Sequence, residues 1–411
     1  MHPNRTRSAS THCYIAAAAT TTAVLAAVLG AIPANATPVV YPAAIADNFY
    51  SPPGDLAALE PGEVIAVRPV PAPAGFIETD AVQLQFRSTD STGRPITAVT
   101  TVLSPRSAQP GRPLLSFQHI VNALGLQCAP SQALYTADPN LTIREAPALN
   151  FALQKGWSVA IPDHLGPTSA YGAARLGGQI TLDGIRAAQK HTPLGLADSP
   201  VGMAGYSGGG MATAMAAAIA PTYAPDVRLA GSAYGGAPLN IGKMAKALGQ
   251  DPHPVFGLAM AAALGLEREY PAQMPVTSQL NANGLELRDR IANACTNDII
   301  AAGAGKSIAE VSTSAELLDT APVQAVLNDN SVEKVQSVPN APIYEWHAET
   351  DALIPVDSIT STMRRYCDAG VPVQSEAVWS PDHLSAAVVG LPGAIDFLES
   401  RFAGAPLRSN C

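Results

Sequence analysis

The chain has 411 residues, which is long for one compact domain and short for three. Hydrophobic residues make up 47% and charged residues 14%, so the chain can bury a large core and is not expected to be disordered. The formal net charge of -9, without any basic run, argues against nucleic acid and against an anionic membrane surface as partners.

The N-terminal segment has the pattern of a signal peptide. Arg5 and Arg7 precede an apolar stretch at about 14–32, and the small residues of "ANA", ending at Ala36, follow it. This order predicts secretion, with cleavage after Ala36 and no transmembrane segment in the mature chain. An uncleaved anchor helix is the alternative, but threonines at 20–22 dilute the stretch, and no other segment is apolar enough to span a bilayer.

Cysteine usage agrees with export. Cys13 lies in the predicted leader, residues 1–36, which leaves four of the five cysteines in the mature chain. In an oxidising compartment this even set predicts two disulfides, although four cysteines allow three pairings and spacing alone does not choose among them. Neither C-x-x-C nor H-E-x-x-H occurs, so the usual zinc patterns are absent and no metal or organic cofactor is expected.

The mature chain opens with a Pro- and Ala-rich stretch, 37–75, which we predict to be an extended lead-in that wraps the domain. Apolar runs of strand length then alternate with segments of helix length. The strand-like runs lie at 81–86, 96–103, 113–121, 157–164, 201–207, 227–236, 341–351 and 371–383. One predicted helix ends near 156, a second spans about 171–190, a third begins near 209 and a fourth spans about 384–401. The pattern predicts an α/β fold whose mostly parallel sheet is covered by helices on both faces.

The alternation fails between residues 236 and 335, where helix formers are common and β-branched runs are few. We predict several short helices here, inserted between a first core part, 37–235, and a second, 336–411. A helical insert above the C-terminal edge of a sheet is a candidate lid or cap. A structural subdomain without a gating role is the alternative.

The stretch "GYSGG" at 205–209 is the only G-x-S-x-G match in the chain. In a nucleophile elbow, the serine sits on a tight strand-to-helix turn, and glycines flank it because side chains there would clash. Ser207 is therefore the candidate nucleophile. A plain turn is the alternative, but a strand run precedes the motif and a helix run follows it, as the elbow requires.

A serine hydroxyl needs a base to take its proton, and the order in such folds is serine, acid, histidine. Three histidines follow Ser207. His253 falls in the insert, where a loop or surface role is expected, and His347 lies inside a strand run as a packed residue. His383 is the last residue of the run 371–383, in "SPDHLSA" on a loop before the final helix, so it is the candidate base.

Asp351 closes a strand run and opens a loop, which makes it the candidate acid that orients the imidazole. Glu349 and Asp382 are rivals, but Asp382 adjoins His383, and adjacent side chains rarely face each other. His347, Glu349 and Asp351 could also share a strand face as metal ligands. A polar cluster at the rim is the simpler interpretation of those three residues.

Several runs together resemble the secretory lipases of the fungal lipase-A type, which have actinobacterial relatives. The resemblance covers nearly the whole mature chain. It rests on "CAPS" at 128–131, "DHLG" at 163–166, "LDGIRA" at 182–187, "GYSGG" at 205–209, "YAP" at 223–225, "GGAP" at 235–238, "WHA" with the following aspartate and "IP" at 346–355, and "DHL" at 382–384.

The resemblance implies an α/β-hydrolase fold with a helical cap and a triad of Ser207, Asp351 and His383. It also implies the disulfides Cys128–Cys295 and Cys367–Cys411, of which the first would tie the cap to the core.

One position departs from the family. The loop before "CAPS" carries an acidic residue that helps to form the oxyanion hole in the family, whereas this chain has Asn122 there. Gly208 would supply the second donor. Because a neutral amide donates at any pH and a carboxyl must be protonated to donate, the hole can survive, but a preference for low pH need not. An ordinary turn residue is the alternative for Asn122.

These residues predict a secreted serine ester hydrolase that acts on acyl esters, with acylglycerols as the expected substrates at a lipid–water interface. A short-chain carboxylesterase, an acyltransferase or a peptidase could use the same triad. A binding protein without activity is disfavoured because all three triad members are present. The apolar run 255–266 in the insert predicts a helix that either borders an acyl chain or packs the insert onto the core.

Overall fold

The computed structural model describes residues 38–138, 141 and 143–411. The predicted leader, with Cys13 and the cleavage site, lies outside these residues. Within them one sheet contains nine strands: β1 Val64–Val70, β2 Thr79–Thr89, β3 Pro95–Pro105, β4 Leu114–Gln118, β5 Ser158–Pro162, β6 Val201–Tyr206, β7 Leu229–Gly235, β8 Ile343–Ala348 and β9 Val373–Val378.

The strand order is β1-β2-β3-β5-β4-β6-β7-β8-β9. Strands β1, β2, β3 and β5 pair antiparallel, and every pairing from β5 through β4 to β9 is parallel. The prediction of a mostly parallel sheet is thus confirmed. All six residues of β6 are buried, as expected for a central strand covered on both faces.

Strand β1 corrects the prediction for the lead-in. Residues 37–75 were expected to be extended chain around the domain, but Val64–Val70 pair with β2. The run contains Pro69, which cannot donate to a ladder and therefore disfavours a central strand. At the edge of the sheet, where β1 lies, proline is tolerated.

Helices cover both faces of the sheet. The α-helices of the described residues are α1 Pro130–Ala133, α2 Ala146–Gln154, α3 Ala174–Lys190, α4 Gly208–Tyr223, α5 Ile241–Gly249, α6 Phe256–Glu269, α7 Ala282–Ile291, α8 Thr296–Gly303, α9 Ile308–Val311, α10 Ala321–Asp329, α11 Val356–Asp368 and α12 His383–Phe402. Helices α3, α4 and α11 share one apolar core, and α2 and α12 share the other. Neighbouring residues of β8 enter opposite cores: Ile343 joins the first, and Tyr344 joins the second.

The insert, residues 236–335, contains α5 to α10 and contributes no strand to the sheet. Its apolar run forms α6, as the sequence predicted. The described part of the insert belongs to the same compact unit as the core. Its gating role stays a prediction.

Two disulfides connect distant parts of the chain. Cys128, in the short helix after β4, is bonded to Cys295, the residue before α8. Cys367, near the end of α11, is bonded to Cys411. The first bond joins the core to the insert. Over the described residues, no helix is long and apolar enough to cross a membrane.

Candidate active site

Ser207 lies between β6 and α4, on a tight turn with φ 53° and ψ -121°. This conformation is rare for a residue with a side chain and is typical of strained functional turns. Two backbone hydrogen bonds hold it: the Ser207 N–H donates to the Gly235 carbonyl at 2.9 Å, and the Met211 N–H donates to the Ser207 carbonyl at 2.8 Å. The side chain is half-exposed at the C-terminal edge of the sheet.

The glycines beside Ser207 are required by close packing. A Cβ at Gly209 would lie 2.0 Å from the Gln118 carbonyl oxygen, and one at Gly205 would lie 2.5 Å from Thr213 Oγ1. Neither distance is compatible with a side chain. The turn can therefore form against the neighbouring strand only because both positions lack a Cβ.

His383, the first residue of α12, is buried, and its Nε2 lies 2.9 Å from Ser207 Oγ. Its backbone carbonyl accepts a hydrogen bond from the Tyr206 hydroxyl. The Tyr206 and His383 rings lie 5.1 Å apart, centroid to centroid. These contacts fix the imidazole over the serine hydroxyl.

Asp351 holds the other side of the imidazole. Its Oδ2 lies 2.6 Å from His383 Nδ1, and its Oδ1 accepts from the N–H groups of Leu353 and Ile354 at 2.9 and 3.1 Å. Burial raises the pKa of Asp351, but the hydrogen bond and charge of His383 and the two N–H donors outweigh burial and hold the pKa below its ordinary value. The group is therefore an ionised acceptor that can orient the histidine.

The rival acids lie elsewhere. Glu349 follows the end of β8 and is exposed. Asp382 caps α12, since its Oδ1 accepts from the Ser385 N–H at 2.9 Å. Among the described residues, no group of three or more His, Cys, Asp or Glu side chains is arranged to hold a metal ion, and this includes the three residues weighed as a metal site.

The other two histidines are not at this site. His253 is half-buried in the insert, where its backbone forms a bridge with Lys306. His347 is buried in β8, with Nδ1 3.0 Å from Oε2 of the fully buried Glu345. Burial lowers the pKa of His347, but the hydrogen bond and charge of Glu345 outweigh burial and leave it above its ordinary value.

Asn122, after β4, is buried against Gly208. A Cβ at Gly208 would lie 2.1 Å from Asn122 Oδ1, and this oxygen has no hydrogen-bond partner. The Asn122 backbone N–H donates to Thr296 Oγ1 at 3.3 Å. The two candidate oxyanion donors are thus neighbours, at the N-terminus of α4, where N–H groups and the helix dipole favour negative charge.

An apolar pocket lies between the insert and the core, and its empty space, counted together with the open solvent at its mouth, is about 540 Å³. Met211, one helical turn after Ser207 on α4, lies in its wall. Helix α6 also provides much of the wall. Representative lining residues are Tyr171, Met211, Ile241, Leu258, Ala262 and Leu266.

Sequence reasoning missed several residues that support the site. Tyr206 carried one signal, because it occupies the variable position of G-x-S-x-G before the serine. No sequence signal pointed to Thr296, because its partner Asn122 lies 174 positions away in the chain.

The chain is similar to known lipases over most of its length. The sequence model of the family described as secretory lipase matches residues 137–410. Lipase 1 of Candida albicans is 30% identical over 92% of this chain and 84% of its own length. A probable inactive lipase of Mycobacterium tuberculosis, MT1628, is 33% identical over 88% of this chain and 83% of its own length.

A solved structure agrees. The chain matches Candida antarctica lipase A, crystallised in its closed state, with a TM-score of 0.84 and 28% identity over 92% of this chain and 89% of that one. The expected α/β-hydrolase fold is confirmed by this match. The chain therefore belongs to the secretory lipase family and is a carboxylic ester hydrolase of the lipase type.

Proposed function

We propose that this chain is a secreted serine hydrolase that cleaves acyl esters, with acylglycerols as substrates, through Ser207, His383 and Asp351. One observation carries the proposal: the continuous hydrogen-bonded chain from Asp351 Oδ2 through both nitrogens of His383 to Ser207 Oγ. That chain supplies a nucleophile, a base and an orienting carboxylate in the required order.

In the first half-reaction, Ser207 Oγ attacks the ester carbonyl carbon while His383 Nε2 takes the hydroxyl proton. The carbonyl oxygen becomes an oxyanion and accepts hydrogen bonds from the Gly208 N–H and from Asn122. One such donor is worth about 3 kcal/mol in the transition state. The tetrahedral intermediate then expels the alcohol, which receives the proton from His383, and an acyl-enzyme remains.

In the second half-reaction, water replaces the alcohol. His383 takes a proton from the water as its oxygen attacks the acyl carbon, and the same donors stabilise the second oxyanion. Collapse releases the carboxylic acid and returns the proton to Ser207. Asp351 accepts the His383 N–H throughout and stabilises the imidazolium formed in each half-reaction.

The pocket beside α6 supports a long acyl chain as the substrate group. Its lining is almost entirely apolar. One lining residue, Met211, belongs to α4, the helix that begins directly after Ser207. Each buried CH₂ of an acyl chain contributes about 0.8 kcal/mol. Chain length should therefore raise kcat/KM until the pocket is full.

The test compares hydrolysis of p-nitrophenyl esters by the wild type and by Ser207→Ala. We expect turnover by the wild type and a loss of at least about a thousandfold in the variant, with both proteins folded. A folded wild-type protein without activity would contradict the proposal, and the chain would then resemble the relative described as inactive. Faster transfer to an added alcohol than to water would instead favour an acyltransferase.

A further inference from the structure

The loop after β4, residues 119–128, is fastened to the insert just before α8. The Leu124 N–H donates to the Ala294 carbonyl at 3.0 Å. The disulfide Cys128–Cys295 joins the same two segments, directly after Ala294 in the insert and one short helix after Leu124 in the loop. These two links hold the loop that carries Asn122 against the start of α8.

Arg268 reinforces the same junction. This buried side chain of α6 donates to the carbonyls of Leu124 and Ala292, both at 2.7 Å. Its guanidinium also donates to the carbonyls of Val40, Thr168 and Ser169. A planar fork of donors can bridge several backbone segments in this way, so the loop and the insert are locked from a second side.

Thr296 is the first residue of α8, directly after Cys295. Its Oγ1 accepts the backbone N–H of Asn122 at 3.3 Å. Because the links at Ala294 and Cys295 lie directly before Thr296 in the chain, Thr296 stays with the loop if other parts of the insert move. The backbone N–H of Asn122 is then committed to Thr296 and is not free for substrate.

The side-chain amide of Asn122 is in the opposite situation. It is buried against Gly208, and its Oδ1 has no partner. A half-turn about the Cβ–Cγ bond exchanges Oδ1 with Nδ2 and breaks no hydrogen bond to Oδ1. An oxyanion beside the Gly208 N–H would favour the orientation with Nδ2 toward it, because only that atom donates.

We propose that Thr296 is a positioning residue of the oxyanion hole: its hydroxyl holds the backbone N–H of Asn122, so that the side-chain amide of Asn122 is the second donor. The inference rests on the proposed function and adds to it a residue from the insert. Thr296 acts only through Asn122 and does not touch the substrate.

The test replaces the hydroxyl but keeps the shape. We expect Thr296→Val to lower kcat for a p-nitrophenyl ester about tenfold with KM within about twofold, because the misplaced donor acts in the transition state. Thr296→Ser should restore most of that loss. Thr320→Val, the same change at an exposed residue preceding α10, is the matched control and should behave as the wild type.

A double-mutant cycle tests the route of the effect. Asn122→Ala alone should lower kcat about a hundredfold, and adding Thr296→Val to it should change kcat less than about twofold, since the positioned group is gone. Thermal unfolding of each variant checks that it is folded. If Asn122→Ala does not fold, the comparison of Thr296→Val with Thr296→Ser decides alone.

Three results would overturn the inference. Equal losses in Thr296→Val and Thr296→Ser, or no loss in either, would remove the role of the hydroxyl. If Thr296→Val still lowered kcat tenfold in the Asn122→Ala background, Thr296 would act through a group other than Asn122. A Thr296→Val enzyme faster than the wild type would mean that the backbone N–H is the true donor and Thr296 blocks it. In each case an inactive Ser207→Ala would leave the proposed function standing.

Discussion

Ser207 occupies a backbone conformation with φ 53°, which costs about 1–3 kcal/mol and must be held by its surroundings. The Gly235 carbonyl accepts the Ser207 N–H, and Gly205 and Gly209 pack closely because they have no side chain. These contacts hold the conformation. The strain has a chemical use, since it lifts Oγ toward His383. The reactive geometry is therefore stored in the backbone before any substrate arrives.

The identity of the acid is tested by paired amides. Asp351→Asn should lower kcat by at least about a thousandfold, because the imidazole loses the acceptor that fixes its tautomer. Glu349→Gln, at an exposed position two residues earlier, is the matched control and should retain activity. Steady-state kinetics with a p-nitrophenyl ester measures both, and the reverse pattern would make Glu349 the acid.

The buried pair of His347 and Glu345 predicts a pH-dependent contribution to stability. Since the pKa of His347 is raised in the folded protein, its charge stabilises the fold below about pH 6.5, and this stabilisation disappears as the pH rises through the folded pKa. His347→Gln should therefore lower Tm more at pH 5.5 than at pH 9. An equal reduction at the two pH values would contradict a charged pair.

Among the elements, helix α6 has two roles: it packs inside the protein, and it lines the pocket. Phe256 and Ala261 are buried in the apolar core, while Leu258, Ala262 and Leu266 line the pocket. A helix with apolar residues on nearly all sides can do both, because one stripe meets protein and another meets ligand.

Ala262→Trp tests the pocket. The indole should fill part of the cavity, so kcat/KM should fall at least about tenfold for long-chain p-nitrophenyl esters and change little for acetate or butyrate. Ala301→Trp, on an exposed face of α8, is the matched control and should not alter the chain-length profile. If acetate were the best ester and Ala262→Trp weakened all chain lengths equally, the protein would be a short-chain carboxylesterase.

The elements that could be predicted from sequence are those with a clear period and clear ends. Strand β6 and helix α4 meet at a glycine-rich turn, and α12 begins at His383, one residue before the predicted helix at about 384–401. Strand β1 could not be predicted in the same way, because Pro69 removes a ladder donor and only its edge position makes this harmless.

The residues of the site also differ in whether they could be predicted from sequence. The three residues of the proposed triad could be chosen from sequence because chain order and strand ends restrict the choice, and the structure brings them into contact. Thr296 could not, because its contact with Asn122 depends on how the insert folds back onto the core. A hydrogen bond between residues so distant in sequence leaves no local pattern.

At the scale of the whole molecule, the two disulfides join segments separated by 167 and 44 residues. Non-reducing peptide mapping of the secreted protein should recover Cys128 with Cys295 and Cys367 with Cys411. It should not recover Cys13, which belongs to the predicted leader. A crossed pairing would contradict the junction between the loop after β4 and the insert, and a retained Cys13 would contradict cleavage after Ala36.

In the proposed mechanism, Ser207 is an activated nucleophile. A p-nitrophenyl alkylphosphonate should react with the wild-type protein, release one equivalent of p-nitrophenol and add one phosphonyl group to the protein mass. Peptide mapping should find that group on Ser207, and Ser207→Ala should stay unlabelled. A folded wild-type protein that is not labelled, or is labelled on a different residue, would contradict the account.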